Sequence, residues 1–289
     1  MLGAIEAGGT KFVCAVGDHD FKIIEKVSFP TTNPQETMQY VFNFFDKYKK
    51  ALEGISIGSF GPIDIDKNSE TYGFITNTPK IGWKNYNFLG EILLRYNLPT
   101  YWTTDVNASV YGEYVLGSGK NLKNIVYYTI GTGVGGGVIY DGKLIEGYSH
   151  LELGHQLVNR HAKDKYSGNC MFHENCLEGM ASGPSIENRF GIKGNNLDAT
   201  DNFWDIEAYY IAQSAYNSTL FYAPEAIIYG GGVMKQDHLI KKVKKEFVKL
   251  LNGYRPIPSI DDYILSPKLG DEAAIIGCLA LAKKLIVQE

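Results

Sequence analysis

No run of 18 apolar residues occurs in the 289-residue chain, so a membrane-spanning helix is not expected. Excess basic charge is also missing: 28 Lys and Arg stand against 32 Asp and Glu, for a net charge of −4. Nucleic-acid surfaces carry clustered basic charge. The one basic run, Lys241, Lys242, Lys244 and Lys245, reads as the solvated face of a helix. Neither a membrane nor a nucleic acid is therefore expected as a partner. The opening M-L-G-A-I-E-A-G-G-T lacks the basic and apolar regions of a secretory leader, which predicts a cytoplasmic protein. Cysteine is scarce, four in all, and Cys14 and Cys278 sit in apolar surroundings that mark them as inert core thiols. There is no G-x-x-x-x-G-K-[ST] loop and no low-complexity linker.

The two remaining cysteines belong to a pattern. His155, Cys170, His173 and Cys176 form H-x14-C-x2-H-x2-C, two thiols and two imidazoles, a complete tetrahedral set for a structural Zn²⁺. The polar loop between His155 and Cys170 offers little apolar surface to fold around, and a metal crosslink supplies that folding energy instead. A Cys170–Cys176 disulfide is the rival reading, but it leaves both histidines unexplained. Glu152, three residues before His155, and Glu178, two after Cys176, bracket the set and suit hydrogen bonding to a polyhydroxylated ligand.

Along the chain, apolar runs and turn residues alternate. Residues 2–7 read as a strand, followed by a Gly8-Gly9-Thr10-Lys11 turn and two more strands. A helix follows, with Met38, Val41, Phe42 and Phe45 on one face. Residues 55–60 read as a buried strand, 63–75 as a hairpin with a polar tip, 87–96 as a helix, 100–104 as a strand and 106–116 as a helix. The pattern then restarts: a strand at 125–130, glycines at 131–137, and strands at 138–140 and 143–145. A helix at 205–222, a strand at 226–229, a Gly230-Gly231-Gly232 turn opening a long helix, a strand at 263–266 and a helix at 271–286 complete it. The two halves share one order, which predicts an α/β chain with a mixed sheet in each. The expected domains are 1–116, joined by the final helix at 272–289, and 117–271.

Two glycine hairpins, at 8–11 and 131–136, let backbone N–H groups approach an anion and would hold nucleotide phosphates across a cleft. The second also fits G-x-G-x-x-G, but strands rather than a helix follow it, which argues against a dinucleotide fold. Asp105 stands between a strand and a helix. It is a candidate general base for an attacking hydroxyl, or a helix cap. Asn107 has the same two readings, as sugar ligand or cap.

Taken together, E-A-G-G-T-K, T-D-V-N-A, I-G-T-G-V-G-G-G-V through E-L-G-H, C-L-E-G and Y-G-G-G-V resemble the ROK family of sugar kinases and repressors. T-N-T-P-K-I-G-W and C-M-F-H-E-N-C-L-E-G-M-A-S-G-P resemble its bacterial fructokinases most. The resemblance implies a duplicated ribonuclease-H-like (actin-like ATPase) fold, two domains with a nucleotide cleft between them. It implies transfer from Mg²⁺-ATP to a hexose 6-hydroxyl, most simply that of fructose. A glucose, mannose or amino-sugar kinase, or a non-catalytic sugar sensor, is the alternative. Asp105 would be the base. Glu152, His155 and Glu178 would orient the sugar, with Asn77 and Asn107 in lesser parts. Gly8, Gly9, Thr10, Lys11, Thr132, Gly133, Pro184, Gly231, Gly232 and Lys235 would line the nucleotide site. His173 stands where the family more often has a third cysteine. The family's repressors place a DNA-binding extension before the first hairpin, for which a hairpin starting at residue 8 leaves no room. A homodimer is also implied.

Overall fold

A computed structural model describes residues 1–287. In chain order its elements are β1 (Leu2–Ala7), β2 (Lys11–Gly17), β3 (Ile23–Pro30), α1 (Pro34–Phe45), β4 (Gly54–Ser59), β5 (Phe74–Ile75), β6 (Tyr86–Asn87), α2 (Phe88–Tyr96), β7 (Thr100–Thr104) and α3 (Asp105–Val115). They continue as β8 (Ile125–Ile130), β9 (Val134–Tyr140), β10 (Lys143–Leu144), α4 (Leu177–Ala181), α5 (Gly183–Phe190), α6 (Phe203–Tyr222), β11 (Ala226–Gly230), α7 (Asp237–Leu251), α8 (Ile260–Tyr263), β12 (Ile264–Leu265) and α9 (Ala273–Val287).

Two compact units result. One comprises Met1–Gly117, Ile145–Leu151 and the residues from Leu269 on; the other comprises Ser118–Leu144 and Glu152–Lys268. The brief return at Ile145–Leu151 has no signature in the sequence. The first unit holds a sheet in the order β3-β2-β1-β4-β7, the second a sheet in the order β10-β9-β8-β11-β12. In each, three strands run antiparallel and two more lie parallel to the first of them. The duplication implied by the sequence is therefore present strand for strand.

The first sheet is covered on both faces, so its central strands are mostly apolar and almost wholly buried. Leu2 and Ala4 of β1 face Ala274, Ile275, Cys278 and Leu279 of α9 and Ala108 of α3, while Ile5 and Ala7 face α1 and α2. The face of α1 is Met38, Val41, Phe44 and Phe45; Phe42 is only partly buried. Helices α3 and α9 cross at glycines: an added Cβ at Gly277 would lie 1.8 Å from the Ala108 carbonyl oxygen. Cys14 and Cys278 are free and buried, and burial pushes both thiols upward, Cys278 to about 12.

Three strand assignments change. Residues 63–75 double back around their polar tip but form no regular two-stranded ladder: Ile63 and Ile75 make one antiparallel bridge, the Asp64 N–H donates to the Phe74 carbonyl at 2.9 Å, and β5 pairs with β6. The tip binds itself instead. Asp64 accepts the Asp66 N–H and the Ser69 and Thr71 hydroxyls, and Asp66 accepts the Asn68 N–H. Such side-chain bonds compete with a ladder. Strand β9 starts at Val134, not 138, so Gly135, Gly136 and Gly137 are strand residues. Gly136 is needed for packing: a Cβ there would lie 2.7 Å from the Leu153 side chain. The last strand shortens to β12.

Candidate active site

In the first unit, the turn at 8–11 closes with the Gly8 N–H donating to the Lys11 carbonyl at 3.0 Å. Thr31 holds it from behind, through its hydroxyl to the Gly8 carbonyl at 2.7 Å and its N–H to the Thr10 carbonyl at 3.0 Å. Gly9, Thr10 and Lys11 are exposed. The Gly9 and Thr10 N–H groups donate to no described residue, which leaves two backbone donors for an anion at this turn.

Asp105 opens α3 at the end of β7. That end belongs to the edge of parallel strands where open α/β sheets bind ligands. The capping role falls to Thr104, whose hydroxyl accepts the Asn107 N–H at 3.1 Å. Asp105 accepts the N–H of the next residue, Val106, at 2.8 Å. Asn107 is buried, with its amide donating to the Thr103 hydroxyl at 3.1 Å. Asn77 is exposed in the loop after β5.

In the second unit, His155, Cys170, His173 and Cys176 converge, with one ligand atom from each within 4.8 Å of all the others. His155 Nδ1 lies 3.7 Å from both sulfurs, and His173 Nδ1 lies 3.6 Å from Cys170 Sγ. Zn–S bonds of about 2.3 Å and Zn–N bonds of about 2.0–2.1 Å at tetrahedral angles put N and S about 3.5–3.6 Å apart, so the four groups fit that ion. Both cysteines are free. Burial pushes the Cys176 thiol up to about 11, so a metal bound there displaces a proton. With Nδ1 turned to the cluster, Nε2 is the remaining polar atom of the His155 ring. Glu152 is exposed and precedes the 3₁₀ turn Leu153–His155. Glu178 sits in the first turn of α4, and its carboxylate accepts the Val134 N–H at 2.9 Å. One edge of the glycine turn at 131–133 is thus tied to the helix that follows Cys176.

Three glycine turns meet beside it. Gly183 N–H donates to the Gly131 carbonyl at 2.7 Å, and a Cβ on Gly131 would lie 3.7 Å from Gly232 N. Thr132 is exposed, Pro184 lies in the first turn of α5, and Lys235 ends a 3₁₀ turn after Gly232. Gly231 has φ +92°, and a Cβ there would lie 2.4 Å from the Ile130 carbonyl oxygen. Gly231→Ala is expected to cost roughly 2–4 kcal/mol, seen as a lower thermal midpoint, whereas Gly232→Ala should cost no more than about 0.5 kcal/mol. At Gly232 an added Cβ meets nothing within 4 Å.

The ROK family model matches residues 2–285. This chain belongs to the ROK family. Among its ROK relatives is the fructokinase of Streptococcus mutans, 51% identical over 99% of this chain and 98% of the relative. The fructokinase of Lactococcus lactis is 48% identical over 99% and 98%. The glucokinase of Streptomyces coelicolor is 25% identical over 97% and 96%. Among solved structures, the ROK hexokinase of Thermus thermophilus superposes with a TM-score of 0.82 at 21% identity, covering 100% of this chain and 99% of that one. That likeness supports the fold the ROK signature implied.

Two residues beside the first ROK hairpin received no role from the sequence. Glu6 lies on β1 two residues before it, and burial raises its carboxyl, opposed by Lys11. An acid inside an apolar strand was the available signal. Lys80 donates its ammonium to the Gly9 carbonyl from a loop 71 residues away, a contact no local pattern reveals. No helix among the described residues is long and apolar enough to cross a membrane.

Proposed function

We propose that the chain is an ATP-dependent fructokinase that phosphorylates the 6-hydroxyl of D-fructose. The observation that carries this reading is identity of 38–51% over essentially full length with proteins named fructokinase or putative fructokinase, against 25–28% with those named glucokinase. The fructose 6-oxygen attacks the γ-phosphorus, its proton passes to the Asp105 carboxylate, and the bond from that phosphorus to the β-phosphate oxygen breaks to release ADP. The chain's task is then positioning and charge stabilisation. The turns at 8–11 and at 131–133 are each read as offering backbone N–H groups to phosphate oxygens, and Thr132, Pro184, Gly231, Gly232 and Lys235 as nucleotide-site residues. Glu152 and His155 Nε2 orient the sugar, with Asn77 in a lesser part. Glu178 has one oxygen committed to the Val134 N–H and Asn107 has its amide nitrogen on the Thr103 hydroxyl, so the second Glu178 oxygen and Asn107 Oδ1 are what these two residues offer the sugar.

Mg²⁺ bound to the nucleotide would supply charge neutralisation. His155, Cys170, His173 and Cys176 would hold a structural Zn²⁺, which would crosslink the loop that carries them. The enzyme is read as cytoplasmic and, from family likeness, as a homodimer. A coupled ADP-release assay over a hexose panel tests the proposal. Fructose should exceed glucose, mannose and amino sugars in kcat/KM by tenfold or more. Preference for another hexose moves the chain to the glucokinase-like reading, and sugar binding without turnover makes it a sensor.

A further inference from the structure

The turn at 8–11 uses its carbonyls in an uneven way. Those of Gly8 and Thr10 are bound by Thr31 and that of Lys11 by the Gly8 N–H, so neutral backbone and hydroxyl groups satisfy three of the four. The fourth, on Gly9 at the exposed tip, is met by a cation, the Lys80 ammonium. Next to it stand the two N–H groups, of Gly9 and Thr10, that donate to nothing among the described residues.

Lys80 does not reach the tip on a slack loop. Its N–H donates to the Thr78 hydroxyl at 3.3 Å, its carbonyl accepts the Trp83 N–H at 3.1 Å, and Thr78 is buried. Trp83 is fully buried against Phe12 and Phe60, with ring centroids 5.4 and 5.7 Å away, and its indole N–H donates to the Thr32 carbonyl at 2.7 Å. The backbone carrying Lys80 is therefore fixed to the same sheet and the same 31–32 segment that hold the turn. An ammonium has three donors, and one neutral carbonyl occupies only one of them. A phosphate oxygen is the stronger acceptor, because both partners are then charged.

We propose that Lys80 is a phosphate-contacting residue of the transfer reaction, its ammonium parked on the Gly9 carbonyl and turned to a terminal phosphate oxygen when ATP reaches the turn at 8–11. This rests on the kinase reading above. As the sugar oxygen bonds to the γ-phosphorus and the bond to ADP breaks, negative charge shifts onto the leaving β-phosphate oxygen. Lys80 offsets that charge without giving up a proton; the hydroxyl proton goes to Asp105.

The test is Lys80→Met and Lys80→Arg in the full chain. Lys80→Met should lower kcat/KM for ATP by roughly 10²-fold, the scale of one lost preorganised donor at developing charge. Fructose affinity measured without nucleotide should stay within about twofold, and Lys80→Arg should restore at least tenfold of the loss. Near-normal kcat and KM for ATP in Lys80→Met overturns the assignment. So does a joint loss of thermal midpoint and fructose affinity, which reduces Lys80 to a brace for its loop. If the wild-type chain phosphorylates no hexose, the kinase reading fails on its own. Titration with a non-hydrolysable ATP analogue then still decides Lys80, and equal affinity in wild type and Lys80→Met overturns its role.

Discussion

Asp105→Asn is expected to lower kcat by roughly 10²–10⁴-fold, the range for loss of a positioned general base. The substitution keeps an oxygen for the Val106 N–H that Asp105 now accepts at 2.8 Å and removes the charge and basicity of the carboxylate. The helix cap is untouched, since Thr104 provides it. Stability should therefore change by no more than about 1 kcal/mol, and equilibrium binding of fructose and of an ATP analogue should persist. Turnover and thermal melting on the same preparation check this. Near-normal kcat would remove Asp105 from the chemistry. A large fall in melting temperature would mean that it serves the fold.

Cys176→Ser should abolish zinc stoichiometry, from about one ion per chain to near zero, and raise KM for the sugar roughly 10–100-fold, the scale seen when the support of a metal site is removed. The choice of serine isolates the metal. Cys176 is fully buried and caps α4 by accepting the Gly179 N–H at 3.3 Å, and a serine hydroxyl is a better cap than a thiol. Any loss is then due to the ion. Cys170→Ser, at a half-buried position on the other side of the set, should give the same pair of losses. Elemental analysis with sugar titration reads both. Wild-type protein purified without chelator and free of zinc would falsify the metal assignment, and zinc loss with unchanged sugar KM would separate the metal from the sugar site.

Where the sequence was legible, the signal was local and periodic. Buried strands such as β1 and β8 announce themselves as apolar runs bounded by glycine, and short ligand spacings such as C-x2-H-x2-C report a turn directly. Where it was not, polar side chains or tertiary contacts had taken over. Asp64 and Asp66 turn an alternating segment into a self-bonded loop. Gly136 resembled a turn residue but is a strand residue with Leu153 packed over it. The helix α5, unmarked by any strong pattern, is set by Ser182, which caps it through the Ser185 N–H, and by Pro184 in its first turn. At the candidate site the acids were visible as residue types but their engagements were not. Nothing in C-L-E-G shows that Glu178 accepts a backbone N–H from a hairpin 44 residues earlier.

The division of labour between Thr104 and Asp105 has an evolutionary consequence. In many proteins an acid at a strand-to-helix junction is locked in place because losing it also unravels the helix. Here the neighbouring threonine carries that duty, so replacing the acid leaves the helix cap in place. With Asp105 as the proposed base, a single replacement would separate a turning-over enzyme from an intact sugar-binding module, with no intermediate that must misfold. Lineages carrying this arrangement would then convert a catalyst into a receptor in one step, and reverse that step as readily.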